Sequence, residues 1–151
     1  MAGLRLLAQT IEIATGTAKK TILQLLAPAN QRLVIKEWSV SFEGITNTGV
    51  PVKVEVARQS TAGTGGDALT PVKVNAADDE TAQSTGLSNI DGSSSPTETA
   101  VLMAEMVHPQ GGYTWQAPFG GELIVKGGER IGIAVTAAAD VGCMARFVYE
   151  E

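Results

Sequence analysis

A lone histidine limits the chemistry open to this chain. His108 is the only one among 151 residues. A Ser-His-Asp relay built on it lacks the Gly-x-Ser-x-Gly elbow that exposes a serine nucleophile on a sharp turn. A metal-binding β-sandwich of the cupin type needs two or three imidazoles converging on the ion, so the count is against it. His108-Pro109 comes just before Gly111-Gly112, a context that suits a structural histidine beside a turn. Asp78-Asp79-Glu80 is the one tight carboxylate cluster. It lacks the alternating oxygen ligands, the central glycine and the closing glutamate of an EF-hand loop, and reads as a solvated acidic turn. Paired carboxylates for glycoside hydrolysis have no positions that the residues alone assign. The glycines are spaced as turns and match neither Gly-x-Gly-x-x-Gly nor a phosphate loop. Cys143, the single cysteine, forms no intramolecular disulfide and sits in an alternating apolar segment, where a small buried hydrophobe is expected. No catalytic, cofactor-binding or metal site is therefore assigned, no cofactor is expected, and the chain is not expected to be an enzyme.

Aromatic side chains offer a different chemistry. Trp38, Tyr113, Trp115 and Phe119 are rings that can stack on sugars. Trp38 alternates in phase with Val40 and Phe42, which predicts core packing. Tyr113 and Trp115, two residues apart on one strand face, stay open as a binding pair.

The elements that must hold these residues are strands. Hydrophobic residues make up 44% of the chain and aromatics only 5%, so the core has to be built from Val, Ile, Leu and Ala. Pro51 to Arg58 alternates Val52, Val54 and Val56 against Lys53, Glu55 and Ala57. Leu33 to Phe42 sets Val34, Trp38, Val40 and Phe42 against Glu37, Ser39 and Ser41. Ile131, Ile133 and Val135 share one face, as do Cys143, Ala145, Phe147 and Tyr149. Weaker strands are expected at 10–14, 21–26, 68–74, 101–108, 113–116 and 122–126. Lys126-Gly-Gly-Glu129 reads as a hairpin turn. No window sustains a helical period, although 4–13 is a place where a short helix competes with a strand.

About eight to ten short strands with regular turns predict an all-β, antiparallel β-sandwich of jelly-roll type, a closed barrel being the lesser alternative. Residues 1–18 form an N-terminal arm or first strand, and 19–151 a single sandwich domain interrupted by a long polar loop at 75–99. That loop carries only Leu87 and Ile90 as large apolar anchors.

Charge bounds the partners. Eleven basic and sixteen acidic residues give a net charge of −5, and the densest basic pair is Lys19-Lys20. Phosphate neutralisation needs more clustered cations than that, so nucleic acid is not an expected partner. No run approaches the roughly 18 apolar residues of a membrane helix, and the N-terminus lacks a secretory core; the chain reads as soluble, unprocessed and free of membrane contact.

The segment from Val107 to Val135 (VHPQGGYTWQAPFGGELIVKGGERIGIAV) resembles small proteins encoded among tailed-phage head genes. So do Leu33-Val-Ile-Lys-Glu-Trp-Ser-Val-Ser-Phe-Glu-Gly, Pro-Val-Lys-Val-Glu-Val and Leu-Thr-Pro-Val-Lys-Val, and together these reach from about residue 20 to the end. The family resembled is that of jelly-roll capsid decoration, or cement, proteins. The resemblance implies a symmetric oligomer, most often a homotrimer, on the outer surface of the expanded bacteriophage head. Its partner there is the major capsid protein, and the protein would be made in the host cytoplasm and carried in the virion. It supplies no site residues. An acidic surface suits that exterior position, away from packaged DNA. Leu4, Leu6, Leu7 and Ile11, the apolar residues of the arm, are the candidate contacts with the shell or a sister subunit, and deleting the arm is expected to leave the sandwich folded. A carbohydrate-binding module using Tyr113 and Trp115 is the alternative from another class, and a hydrolase hidden in an unfamiliar sandwich is a third.

Overall fold

The alternating segments become two facing antiparallel sheets in the computed structural model, which describes residues 3–45 and 49–151. Thirteen strands follow one another: β1 (Arg5–Gln9), β2 (Ile13–Ala14), β3 (Lys20–Leu26), β4 (Leu33–Phe42), β5 (Val52–Gln59), β6 (Asp67–Leu69), β7 (Val72–Lys73), β8 (Thr85–Ile90), β9 (Glu98–Val107), β10 (Gly112–Gln116), β11 (Leu123–Val125), β12 (Arg130–Thr136) and β13 (Gly142–Glu150). One sheet runs β10-β4-β13-β1-β7, with β11 also on β4 and β2 also on β13; the other runs β6-β8-β3-β12-β5-β9. No helix is present among the described residues. The fold is an all-β sandwich.

The core lies between the sheets. Leu6, Leu33, Ile35, Trp38, Phe147 and Tyr149 from one sheet are fully buried against Leu23, Leu25, Val54, Val56, Ile131 and Ile133 from the other. Each such side chain removed from water stabilises the fold by about 1.5–3 kcal/mol before the loss of chain entropy is counted. Strand β13 keeps strict alternation, with Cys143, Ala145, Phe147 and Tyr149 inward. Strand β12 is buried on both faces. Gly132 there has no room for a side chain, because the Gln59 amide lies directly over it.

Irregularities shift the faces of four strands. In β4, Glu37 pairs with Val148 and Ile35 with Tyr149, which leaves Lys36 as an extra residue. The bulge reverses the alternation: Leu33 and Ile35 are buried ahead of it, Trp38, Val40 and Phe42 after it. Val34, expected beside Trp38, is therefore on the outer face. The same position separates the two partners on the other edge, β10 ending opposite Glu37 and β11 starting opposite Ile35. A second irregularity is shared by β3 and β8. Thr21 pairs with Ile90 and Leu23 with Ser88, while Ile22 and Asn89 between them are unpaired and Asn89 adopts φ 50°. Both strands break at opposed residues, so their register runs through. Strand β9 has two, Leu102 being extra where Val56 pairs with Met103 and Ala57 with Val101, and Thr99 where Arg58 pairs with Ala100 and Gln59 with Glu98.

Three expectations are corrected. The loop at 75–99 contains strand β8 and the first residues of β9. Its polar residues Ser88 and Thr85 hid a strand that binds through backbone hydrogen bonds to β3 on one side and β6 on the other. The strand expected at 68–74 is two, β6 and β7, in different sheets; Pro71, with no N–H to give, stands at the crossing. Lys126-Gly-Gly-Glu129 makes its turn, with Glu129 N–H donating to Lys126 O at 3.0 Å. Yet β11 and β12 lie in opposite sheets, so the turn is an arch between layers instead of a hairpin.

Candidate interaction surfaces

The N-terminal residues are not a free arm. Strand β1 is inserted between β13 and β7 and hydrogen-bonds to both. Leu4 N–H donates to Glu151 O at 3.0 Å, and Glu151 N–H returns the bond to Leu4 O at 3.1 Å. Leu4 and Leu6 belong to the protein's own core, so their side chains are not exposed as the expected contacts would be. Alternation turned them inward once a partner strand existed on each side. Leu7 is half-buried on the outer face between Val148 and Val72. Of the four candidates only Ile11, 79% exposed, stands free.

Ile11 precedes Glu12 at one end of the sandwich, where a cleft of about 550 Å³ opens. Its walls come from the segments after β4 and after β12, including Glu43, Ile45, Val50, Ala138 and Asp140. Ile45 and Val50 expose large apolar side chains at its rim. The neighbouring Glu12 carboxyl raises the Glu43 pKa above its ordinary value. Asp140 is engaged otherwise, its Oδ1 accepting from Gly16 N–H at 2.7 Å. These residues were missed in the sequence because they come from segments far apart. The one local signal was an isolated isoleucine and valine in a Gly-rich stretch, Gly44 to Val50.

The aromatic candidates gather at one long side. Trp38 is fully buried, as its phase predicted, and its ring lies 5.2 Å from that of Tyr113 at a 37° tilt. Its Nε1–H donates to Met103 Sδ at 3.4 Å, linking the two sheets. Tyr113 and Trp115 are half-buried against the same core, not laid flat on an outer face. Phe119 is fully exposed in the loop between β10 and β11.

The remaining candidates have local explanations. His108 Nδ1 accepts from Gln110 N–H at 3.1 Å, and Gly111 N–H donates to His108 O at 2.9 Å, so the imidazole closes the turn after β9. In the acidic run, Asn75 Nδ2–H donates to Asp78 Oδ1 at 3.1 Å and Lys73 Nζ donates to Asp78 O at 2.7 Å. Cys143 is buried, and burial pushes its thiol up to about 12. Among the described residues no three His, Cys, Asp or Glu side chains converge as a metal site would.

The second sheet hides polar groups under its outer cover. Gln24 Nε2–H donates to Gln59 Oε1 at 2.6 Å and to Thr61 O at 3.1 Å, and Gln59 Nε2–H donates to Thr21 Oγ1 at 3.1 Å. Beside them Lys19 Nζ bridges Glu55 and Glu98 at 2.8 Å each. That hydrogen bond from Lys19 holds the Glu55 carboxyl below its usual range against the opposing effect of burial. Burial pulls the Lys19 ammonium down, but the two carboxylates outweigh it and the net shift is upward.

No family model, curated protein or solved structure matches the chain.

Proposed function

We propose that the chain is a structural decoration protein of a tailed-phage head, seated on the outer capsid surface and holding neighbouring major capsid subunits together. The resemblance to cement proteins motivates this reading. What the geometry adds in support is a rigid frame with Ile45 and Val50 exposed at the cleft, and Ile11 exposed next to Glu12, one of its lining residues. Exposed apolar groups rimmed by polar ones favour a protein contact. Repeated on a lattice, individually small contacts act together, so each interface need not be large.

The winding is consistent with the same family. We infer a jelly roll from the strand pairs: β1 with β13, β3 with β12, β4 with β10 and β11, β5 with β9. One long ribbon of paired strands, rolled up, brings β13 onto β4 and β12 onto β5, and both pairings are present. Strands β6, β7 and β8 are then an insertion that extends both sheets on one side.

Co-sedimentation of the purified protein with expanded, undecorated heads tests the role. The expected result is saturable binding at a fixed ratio to the major capsid protein. The variant Ile11→Asp/Val50→Asp should lower occupancy roughly tenfold, the scale of lost apolar anchors, while its circular dichroism stays that of the parent. A folded protein that never binds heads overturns the proposal. The sugar-binding alternative draws on Tyr113 and Trp115, whose half-buried rings offer no flat outer pair; a saturable hit on a glycan array would bring it forward.

A further inference from the structure

The geometry points to the end cleft as a seat for a cationic chain segment of a partner protein: a lysine or arginine reaches the Glu12 and Glu43 carboxylates while its aliphatic neighbours lie on Ile45 and Val50. That the partner is the capsid surface rests on the decoration reading; the chemistry of the seat does not.

The walls of the cleft are tied to one another through the backbone. Glu43 N–H donates to Gly142 O at 3.0 Å and Gly44 N–H to Pro109 O at 2.7 Å, which fixes the exit of β4 against the start of β13 and the turn after β9. Thr15 N–H donates to Val141 O at 3.0 Å, and Val141 N–H donates in return to Thr15 Oγ1 at 3.1 Å. A seat formed in advance loses little conformational freedom when it is filled. Its volume of about 550 Å³ is that of clefts which enclose ligands. Val52 and Ala137 line it from the core, and Ile45 and Val50 carry the apolar surface outward to the rim.

Charge selects the occupant. The charged side chains that line the cleft are Glu12, Glu43 and Asp140, all acidic. Gly44-Ile-Thr-Asn-Thr-Gly-Val50 supplies no base either. Lys20, eight residues after Glu12, is taken up elsewhere, its Nζ donating to Ala14 O at 2.8 Å and to Asn89 Oδ1 at 3.0 Å. Among the described residues neither Glu12 nor Glu43 joins an ion pair. Two neighbouring carboxylates without a base favour a proton on one of them, and a cation beside them favours the ionised pair instead. A metal ion fits the cleft poorly, because no three acidic side chains converge there among the described residues. An ammonium or guanidinium on an aliphatic stem meets both requirements, its stem on the apolar wall and its head at the carboxylates.

The test uses the full chain and two probes. Acetyl-Leu-Arg-Val-amide should shift the backbone amide resonances of Gly44, Ala138 and Asp140 saturably and leave that of Val72 in place. Acetyl-Leu-Glu-Val-amide should not shift them. Glu12 and Glu43 are exposed, so Glu12→Gln/Glu43→Gln should keep the parent's circular dichroism. That variant should bind the arginine peptide about fivefold more weakly, the scale of lost exposed ion pairs. Its occupancy on expanded heads should fall likewise, and the parent's binding to heads should weaken with added salt. No shift at the cleft, or equal shifts with the glutamate peptide, overturns the proposal. Heads that bind the parent and the double variant equally also overturn it, and leave the decoration reading standing. An arginine peptide seated in the cleft of a protein that never binds heads upholds the seat and sinks the decoration reading.

Discussion

The two long sides of this sandwich are closed in opposite ways. On one side the chain itself crosses between the layers twice, from β6 to β7 through Thr70-Pro71 and back from β7 to β8 through residues 74–84. That crossing is tied down: Ser84 Oγ and Tyr149 Oη share a buried hydrogen bond of 2.7 Å, and the Glu151 carboxylate accepts from Gln83 and Ser84 N–H at 2.6 and 2.9 Å. On the other side β9 and β10 are joined only through the turn at His108 to Gly111. There the seal is made of side chains, Trp38 with Tyr113 and Met103. Where the backbone laces the layers, the marginal strands shrink to two or three residues. Where one short turn makes the only crossing, β9 keeps a ten-residue edge. Repeated crossing covers and shortens an edge, whereas the long edge of β9 is interrupted by bulges, which also discourage the addition of a strand.

This contrast can be broken by substitution. Trp38→Ala removes the largest side chain of the open side's seal and should cost about 3–5 kcal/mol in urea unfolding, the range for a buried tryptophan. Tyr149→Phe removes only the hydroxyl at the laced side and leaves Ser84, 4% exposed, without its partner. That should cost about 1–3 kcal/mol by the same measurement. Equal losses for the two would mean that the sides depend on side chains alike. Lysine at exposed Val72 should change stability by less than about 0.5 kcal/mol, because neither packing nor a buried polar group is altered.

The smallest effects lie in pH. Glu55 holds its proton less tightly in the folded chain than its ordinary value of 4.5, owing first to Lys19. Its contribution is present above that value and is lost as pH falls through the lower folded one. Glu43 has the opposite shift, raised from 4.5 by Glu12, so its carboxyl pair becomes more favourable as pH falls through the raised value. Denaturation curves across the acid range should show Glu55→Gln flattening the loss and Glu43→Gln steepening it. Slopes of the same sign for the two would refute the assignment.

Much of the framework was legible in the residues. Strands β5, β12 and β13 announced themselves by alternation, and Trp38 by its phase with Val40 and Phe42. The turns were marked by glycine, and Gly120 and Gly128 do adopt positive φ. The candidate contacts were less legible. Leu4 and Leu6 looked like an apolar arm because nothing local reveals that β13 and β7 flank them. Ile45 and Val50 gained meaning only when distant segments met around the cleft.

Side-chain period is a local property, and by itself the sequence determined that this chain makes strands, where most of them turn, and that their inward faces are aliphatic. Tertiary structure alone decided which strands meet. It set β8 in a sheet despite a polar sequence, reversed β4 at Lys36, separated β11 from β12, and left β9 open. Each of these depends on backbone hydrogen bonds to partners remote in sequence, and backbone groups are the same at every residue, so no side-chain pattern announces them.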